Sequence, residues 1–207
     1  MYNRNLRKPS PNKNIFKFSS FKNAGTIMCE STLEFDACFH LEHSSSIISF
    51  ESQPTGIEYQ MNGRTHRYTP DFKVVKDTGE IEFIEIKPSK QLTSLTFREE
   101  FQCKRSAYKM KGFKLLLVTD KQIRSMPLLE NLKVINRYSR STLSGVHDLA
   151  LEHIRASKSL SISELAKKLG LIIGDCIAAC ALLIKHGVVR TDLEGGLLCE
   201  HSLMKEA

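Results

Sequence analysis

Apolar and polar positions alternate most regularly between residues 57 and 87. Residues 57–61 and 65–68 flank Asn62-Gly63, which predicts a hairpin closed by a tight turn. Residues 71–76 and 80–87 flank Asp77-Thr78-Gly79 and predict a second hairpin, with Gly79 supplying the positive φ of the turn. Elsewhere the period lengthens. Ser31 opens a helix with Leu33, Ala37 and Leu41 on one face, broadened by Phe35, Cys38 and Phe39. Residues 96–110 predict an amphipathic, strongly basic helix that stops at Gly112. The run 113–118, apolar except for Lys114, suits a buried strand, and residues 47–50 a short strand leading to Gln53-Pro54. Residues 126–132 predict a further short helix before 134–136.

Residues 144–207 read as a separate unit. Helices are expected at 147–155, 161–170 and 175–186, the last two ended by Gly170 and Gly187. A ribbon of 188–190 and 197–199 across the turn Glu194-Gly195-Gly196 completes the order expected of a winged helix. The predicted organisation is therefore a basic flexible arm (1–22), an α/β domain with a mixed sheet flanked by helices (23–143) and a small winged-helix domain (144–207). There is no internal repeat.

The formal charge is +7, and its distribution sharpens the picture. Residues 148–207 hold seven Lys/Arg against eight Asp/Glu, so all of the positive excess lies before them. Such asymmetry points to a polyanionic partner for the first domain. The arm is basic and polar and lacks the apolar core of a secretion signal, and no apolar run is long enough to span a membrane. The six cysteines show no C-x-x-C pair and fit no zinc module, so reduced, mostly buried thiols in a cytoplasmic protein are expected.

The candidate chemistry sits in the second hairpin. Asp71 opens one strand, in Tyr68-Thr69-Pro70-Asp71-Phe72. Glu85 and Lys87 alternate with apolar residues on the next, in Ile84-Glu85-Ile86-Lys87-Pro88. Period 2 sends Glu85 and Lys87 off the same face, opposite a buried one, and the short turn brings them beside Asp71. Phosphodiester hydrolysis needs an activated water, counter-charge for the transition state and aligned oxygens, which one or two divalent ions supply. Carboxylates suit Mg²⁺ or Mn²⁺, and Lys87 would orient or deprotonate the water. A bare E-x-K also fits an exposed pair across a strand face; the Pro-Asp before it and the short spacing favour catalysis. Glu34 stands at N3 of the helix opened by Ser31, where it reads either as a third carboxylate or as the return half of a capping box. Lys104, Arg105, Lys109 and Lys111, on or just after the basic helix, are candidate phosphate contacts or a solvated face.

Together, Glu30-Ser31-Thr32-Leu33-Glu34, Gln53-Pro54, Tyr68-Thr69-Pro70-Asp71-Phe72 and Ile84-Glu85-Ile86-Lys87-Pro88 resemble the N-terminal domain of the TnsA family. These are the endonuclease subunits of heteromeric bacterial transposases. The resemblance implies a restriction-endonuclease-like PD-(D/E)xK core followed by a winged helix. It implies Glu34, Asp71, Glu85 and Lys87 as catalytic residues, and Glu34, Asp71, Glu85 and Ile86 (through its main chain) as ligands of one or two Mg²⁺ or Mn²⁺ ions. Relatives that carry Gln at the position of Glu85 make its role as a direct ligand variable. The implied activity is hydrolysis at the 5′ ends of the element, on the strand that is not transferred. The implied partners are double-stranded transposon-end DNA, the DDE transposase TnsB and the AAA+ regulator TnsC, with no membrane partner.

A stand-alone restriction or repair nuclease, or a non-catalytic DNA-binding adaptor on a nuclease scaffold, are the competing readings. The helix expected at 175–186 is almost wholly apolar, with Asp175 at its start and Lys185 and His186 at its end, and its first turns lack the Arg, Lys, Asn or Gln that read base edges. The C-terminal domain is therefore expected to dock protein rather than DNA.

Overall fold

The computed structural model describes residues 14–139 and 141–207. The chain divides into two compact units, Met1–Arg124 and Ser125–Ala207. The division falls before the 143/144 boundary read from the sequence. No helix of the described residues is long and apolar enough to cross a membrane.

The first unit begins with β1 (Phe16–Ser20) and β2 (Gly25–Cys29), an antiparallel ribbon whose first strand lies in the second half of the segment expected to be a flexible arm. Aromatic packing orders it: the Phe18 ring meets Phe39 edge-on at 5.1 Å and Phe35 at 5.8 Å. Both partners lie on α1 (Thr32–His43), whose Glu42 carboxylate accepts hydrogen bonds from Ser20 Oγ and the main-chain N–H groups of Phe21 and Lys22. The Lys22 ammonium is used internally, donating to the carbonyls of Leu41, Ser44 and Ile47. The earlier part of the arm lies outside the described residues.

The central sheet has the strand order β3 (Ile47–Ser52), β6 (Phe72–Lys76), β7 (Ile81–Lys87), β8 (Lys114–Thr119). The first three are antiparallel neighbours and β8 runs parallel to β7, so the sheet is mixed. A parallel neighbour requires a crossover, here a 3₁₀ turn (Ser89–Thr93) and α2 (Leu95–Met110). The hairpin β4 (Ile57–Met61) and β5 (Arg64–Tyr68) turns through Asn62 and Gly63, both at positive φ, and packs on α2. Tyr59, Tyr68, Phe83, Phe101, Tyr108 and Leu115 form the core between α2, this hairpin and the sheet. β7 is consequently buried on both faces up to Ile86, rather than on one as alternation suggested. The short α3 (Asp120–Ile123) closes the unit.

The second unit contains α4 (Leu128–Tyr138), α5 (Gly145–Ser157), β9 (Leu160–Ser161), α6 (Ile162–Leu169), α7 (Ile173–Lys185), β10 (Val189–Arg190) and β11 (Leu203–Glu206). One core joins Ala150 and Ile154 to Ile162, Leu165, Cys176, Cys180 and Leu183. Residues 134–136 are not a separate element; α4 runs through them because Leu129, Leu132 and Ile135 share its buried side. α4 packs along α7, which is why it joins this unit. The ribbon also differs from expectation. β10 pairs with residues 205–206 of β11 instead of 197–199, and residues 203–204 of β11 pair with β9. Asn131, 1% exposed, holds the intervening loop instead: Nδ2 donates to the carbonyls of Leu193 and Gly196, and Oδ1 accepts from Leu198 N–H, each at 2.8 Å.

Candidate active site

The site lies at one end of the central sheet, where the register itself assembles it. Ser52 pairs with Phe72 and Phe72 with Ile84. One residue further along each strand sets Gln53, Asp71 and Glu85 side by side, with Leu117 on β8 opposite Glu85. Lys87 is two residues on, facing Thr119.

Asp71 is held by main-chain donors on either side. Its Oδ2 accepts from Ile86 N–H at 2.7 Å, and its own carbonyl accepts from Gln53 N–H at 2.8 Å. Glu85, 4% exposed, divides its oxygens: Oε1 pairs with Lys87 Nζ at 2.8 Å and Oε2 accepts from the Tyr68 hydroxyl at 2.6 Å. Burial, followed by the charge of Glu85, pushes the Asp71 carboxyl up to about 7; Lys87 and the Ile86 N–H oppose the rise, and Glu34 adds to it. Burial works to lower the Lys87 ammonium, but Glu85 and Asp71 outweigh it and hold its pKa above the ordinary value. Lys87 is thus a fixed positive charge, and Asp71 can gain or lose a proton near neutrality.

Glu34 stays with its helix cap. Its backbone N–H donates to Ser31 Oγ, while its carboxylate accepts from Ser31 Oγ at 2.8 Å and from Glu30 N–H at 2.9 Å. It is nonetheless near enough to raise Asp71. The structure therefore pairs Glu85 directly with Lys87 and sets Asp71 beside them through strand register and the Ile86 N–H, and Asp71 and Glu34 act on the pair through charge.

The four basic residues of the α2 region part company. Lys104 is turned inward, its side chain 12% exposed, paired with Glu100 at 2.7 Å and seated over the Tyr68 ring at 4.4 Å. α2 starts near the Lys87 end of the sheet and finishes near Lys114, which faces Glu82 rather than Lys87. Five strand residues separate those ends, about 17 Å. Lys109 and Lys111 lie at the far end, and Arg105 lines a cavity of about 430 Å³ with Lys109 and residues 113–116.

Among the described residues, no three His, Cys, Asp or Glu side chains stand in an arrangement that would hold a metal ion. The donor chemistry nevertheless fits a hard cation. Asp71 and Glu85 supply carboxylate oxygens whose mutual repulsion a cation would relieve. Beside them, Gln53 Oε1 is a buried oxygen without a hydrogen-bond partner.

Residues 44–120 match the family model of the TnsA-like endonuclease N-terminal domain. This segment is a TnsA-like endonuclease domain. The matched stretch contains Gln53, Asp71, Glu85 and Lys87, and leaves Glu34 outside it. No curated protein matches the chain. Within the TnsA-like domain, Tyr68 and Gln53 are the residues whose roles the sequence did not announce. Both belong to motifs legible there, but their partners depend on strand register and on the β4–β5 hairpin.

Proposed function

We propose that the chain is the DNA endonuclease subunit of a heteromeric cut-and-paste transposase, hydrolysing the 5′ ends of the element on the strand that is not transferred. The observation that supports this most is the convergence of Asp71, Glu85 and Lys87 at one sheet end inside the TnsA-like domain. Mg²⁺ or Mn²⁺ would be held by Asp71 and Glu85, with the main chain at Ile86 and a reoriented Glu34 as further ligands. When bound, the ion would supply Lewis-acid stabilisation of the phosphoryl oxygens and an activated water. The protein's own groups do the rest. Lys87, kept protonated by its acidic neighbours, offsets charge that builds on the phosphoryl group. Tyr68 fixes the free oxygen of Glu85.

Arg105, Lys109 and Lys111 would contact the DNA backbone away from the scissile phosphate. Residues 144–207 are read as a winged helix that docks protein, with a TnsB-like DDE transposase and a TnsC-like AAA+ ATPase as partners of the whole chain. What supports protein docking is that the first turns of α7 carry no base-reading side chain and that the helix is covered along one side by α4.

Alanine at Asp71 or Lys87 is expected to abolish 5′ cleavage of end-containing DNA while leaving assembly with the transposase subunit intact. Strand-resolved gels with each protein added in turn read this directly. Normal 5′ cleavage by either variant would remove these residues from the active site.

A further inference from the structure

Gln53 is 9% exposed and stands at the end of β3, next to Asp71 in the strand row. Its backbone occupies the left-handed region at φ 48°, a conformation that residues with a side chain rarely adopt. Three features accompany that conformation. The main-chain N–H donates to the Asp71 carbonyl at 2.8 Å. Side-chain Nε2 donates to Asp71 Oδ1 at 3.5 Å, the carboxylate oxygen that Ile86 N–H leaves free. Oε1 is buried without a hydrogen-bond partner. The amide orientation follows from charge, because only Nε2 has hydrogens to offer a carboxylate. Buried polar atoms almost always find partners, so an orphaned acceptor beside a carboxylate pair marks a place for a donor or a cation.

We propose that Gln53 is a positioning residue for divalent-cation binding: it fixes the free oxygen of Asp71 from β3 and presents Oε1 as an additional neutral oxygen to the ion or its hydration shell. The inference rests on the metal-dependent reading given above. Outer-sphere hydrogen bonds of this kind hold a ligand in its binding orientation, and their loss typically weakens metal affinity tenfold or more. A purely structural role makes a different forecast. The fold uses Gln53 through its main chain, and that bond survives any substitution except proline.

Calorimetric titration of the full chain with Mn²⁺ alone, alongside thermal melts, distinguishes the two. Gln53→Gly keeps the main-chain bond and removes the cost of left-handed backbone, so its melting temperature is expected at or above wild type. Its Mn²⁺ affinity is expected to fall about tenfold. Gln53→Met, of similar length but without donor or oxygen, should lose affinity to the same extent. D71A should take up no Mn²⁺. Equal affinity in wild type and both Gln53 variants overturns the assignment alone. A fall in affinity that tracks a fall in melting temperature in both variants also overturns it, by marking a structural role. A wild-type chain that takes up no Mn²⁺, or a D71A chain that binds as wild type, overturns the metal reading of the site and this inference with it.

Discussion

Asp71 is asked to be two things, a buried group in a folded sheet and a carboxylate beside Glu85. Burial and the Glu85 charge raise it from 3.8 to about 7, so the folded state favours its neutral form. That preference contributes stability fully below the unfolded value near 4, and the contribution is lost as pH rises toward 7. The full shift corresponds to about 4 kcal/mol at the upper limit. Asp71→Asn retains an acceptor for the Ile86 N–H and carries no charge. Its melting temperature should match wild type near pH 4 and exceed it by several degrees above pH 7, the gap opening between those limits. A constant gap across that range would mean that Asp71 ionises freely in the folded chain. The residues of this site were legible unequally. Asp71, Glu85 and Lys87 could be read from period 2 and one short turn, which fix both face and neighbourhood. Gln53 could not, because its contact with Asp71 requires the β3–β6 register and a left-handed backbone that no local pattern encodes.

Elements declared by hydrophobic period were read nearly to their ends, while those declared by tertiary partners were not. The two hairpins, α1, α2 and β8 follow from alternation, capping and glycine turns. Phe16 and Phe18 sit in a polar stretch, and only the aromatic side of α1 turns that stretch into β1. The return strand of the C-terminal ribbon was misplaced because Gly195-Gly196 suggested a hairpin turn at once. In the structure Asp192 caps that loop, accepting from the N–H groups of Glu194 and Gly195, and the chain reaches 203 before it pairs. Asn131 anchors the same loop from α4 with three hydrogen bonds. Asn131→Ala leaves two carbonyls and one N–H without their partner and should cost about 2–4 kcal/mol. Urea denaturation should show this as a lower midpoint, with residues 193–198 losing hydrogen-exchange protection first. Unchanged protection there would mean that the loop is held by something other than this amide.

At the scale of the whole chain, catalysis and site choice are separable. The positive charge lies before residue 148, in the part that contains the TnsA-like domain, whereas the remainder is slightly negative. Charge of that kind attracts DNA backbone without choosing a sequence. The helix best placed by order to read bases, α7, spends its surface on two packing partners: Cys176, Cys180 and Leu183 face the α5–α6 core, and α4 packs along it as well. Its exposed positions are Gly174 and Asp175, its one basic residue is Lys185 in the last turn, and it offers no Arg, Asn or Gln. If the chain cuts as proposed, it would depend on a partner to select where. Purified alone with Mg²⁺, it is expected to leave supercoiled plasmid intact over hours. Adding a DDE-type transposase subunit that recognises the element ends should produce 5′ nicks at those ends and nowhere else, and the nicks should vanish with D71A. Vigorous cutting of plain plasmid by the chain alone would instead place sequence or structure selection within this polypeptide and make it a self-sufficient nuclease. If nicking at the ends persisted with D71A, the cut would belong to the partner.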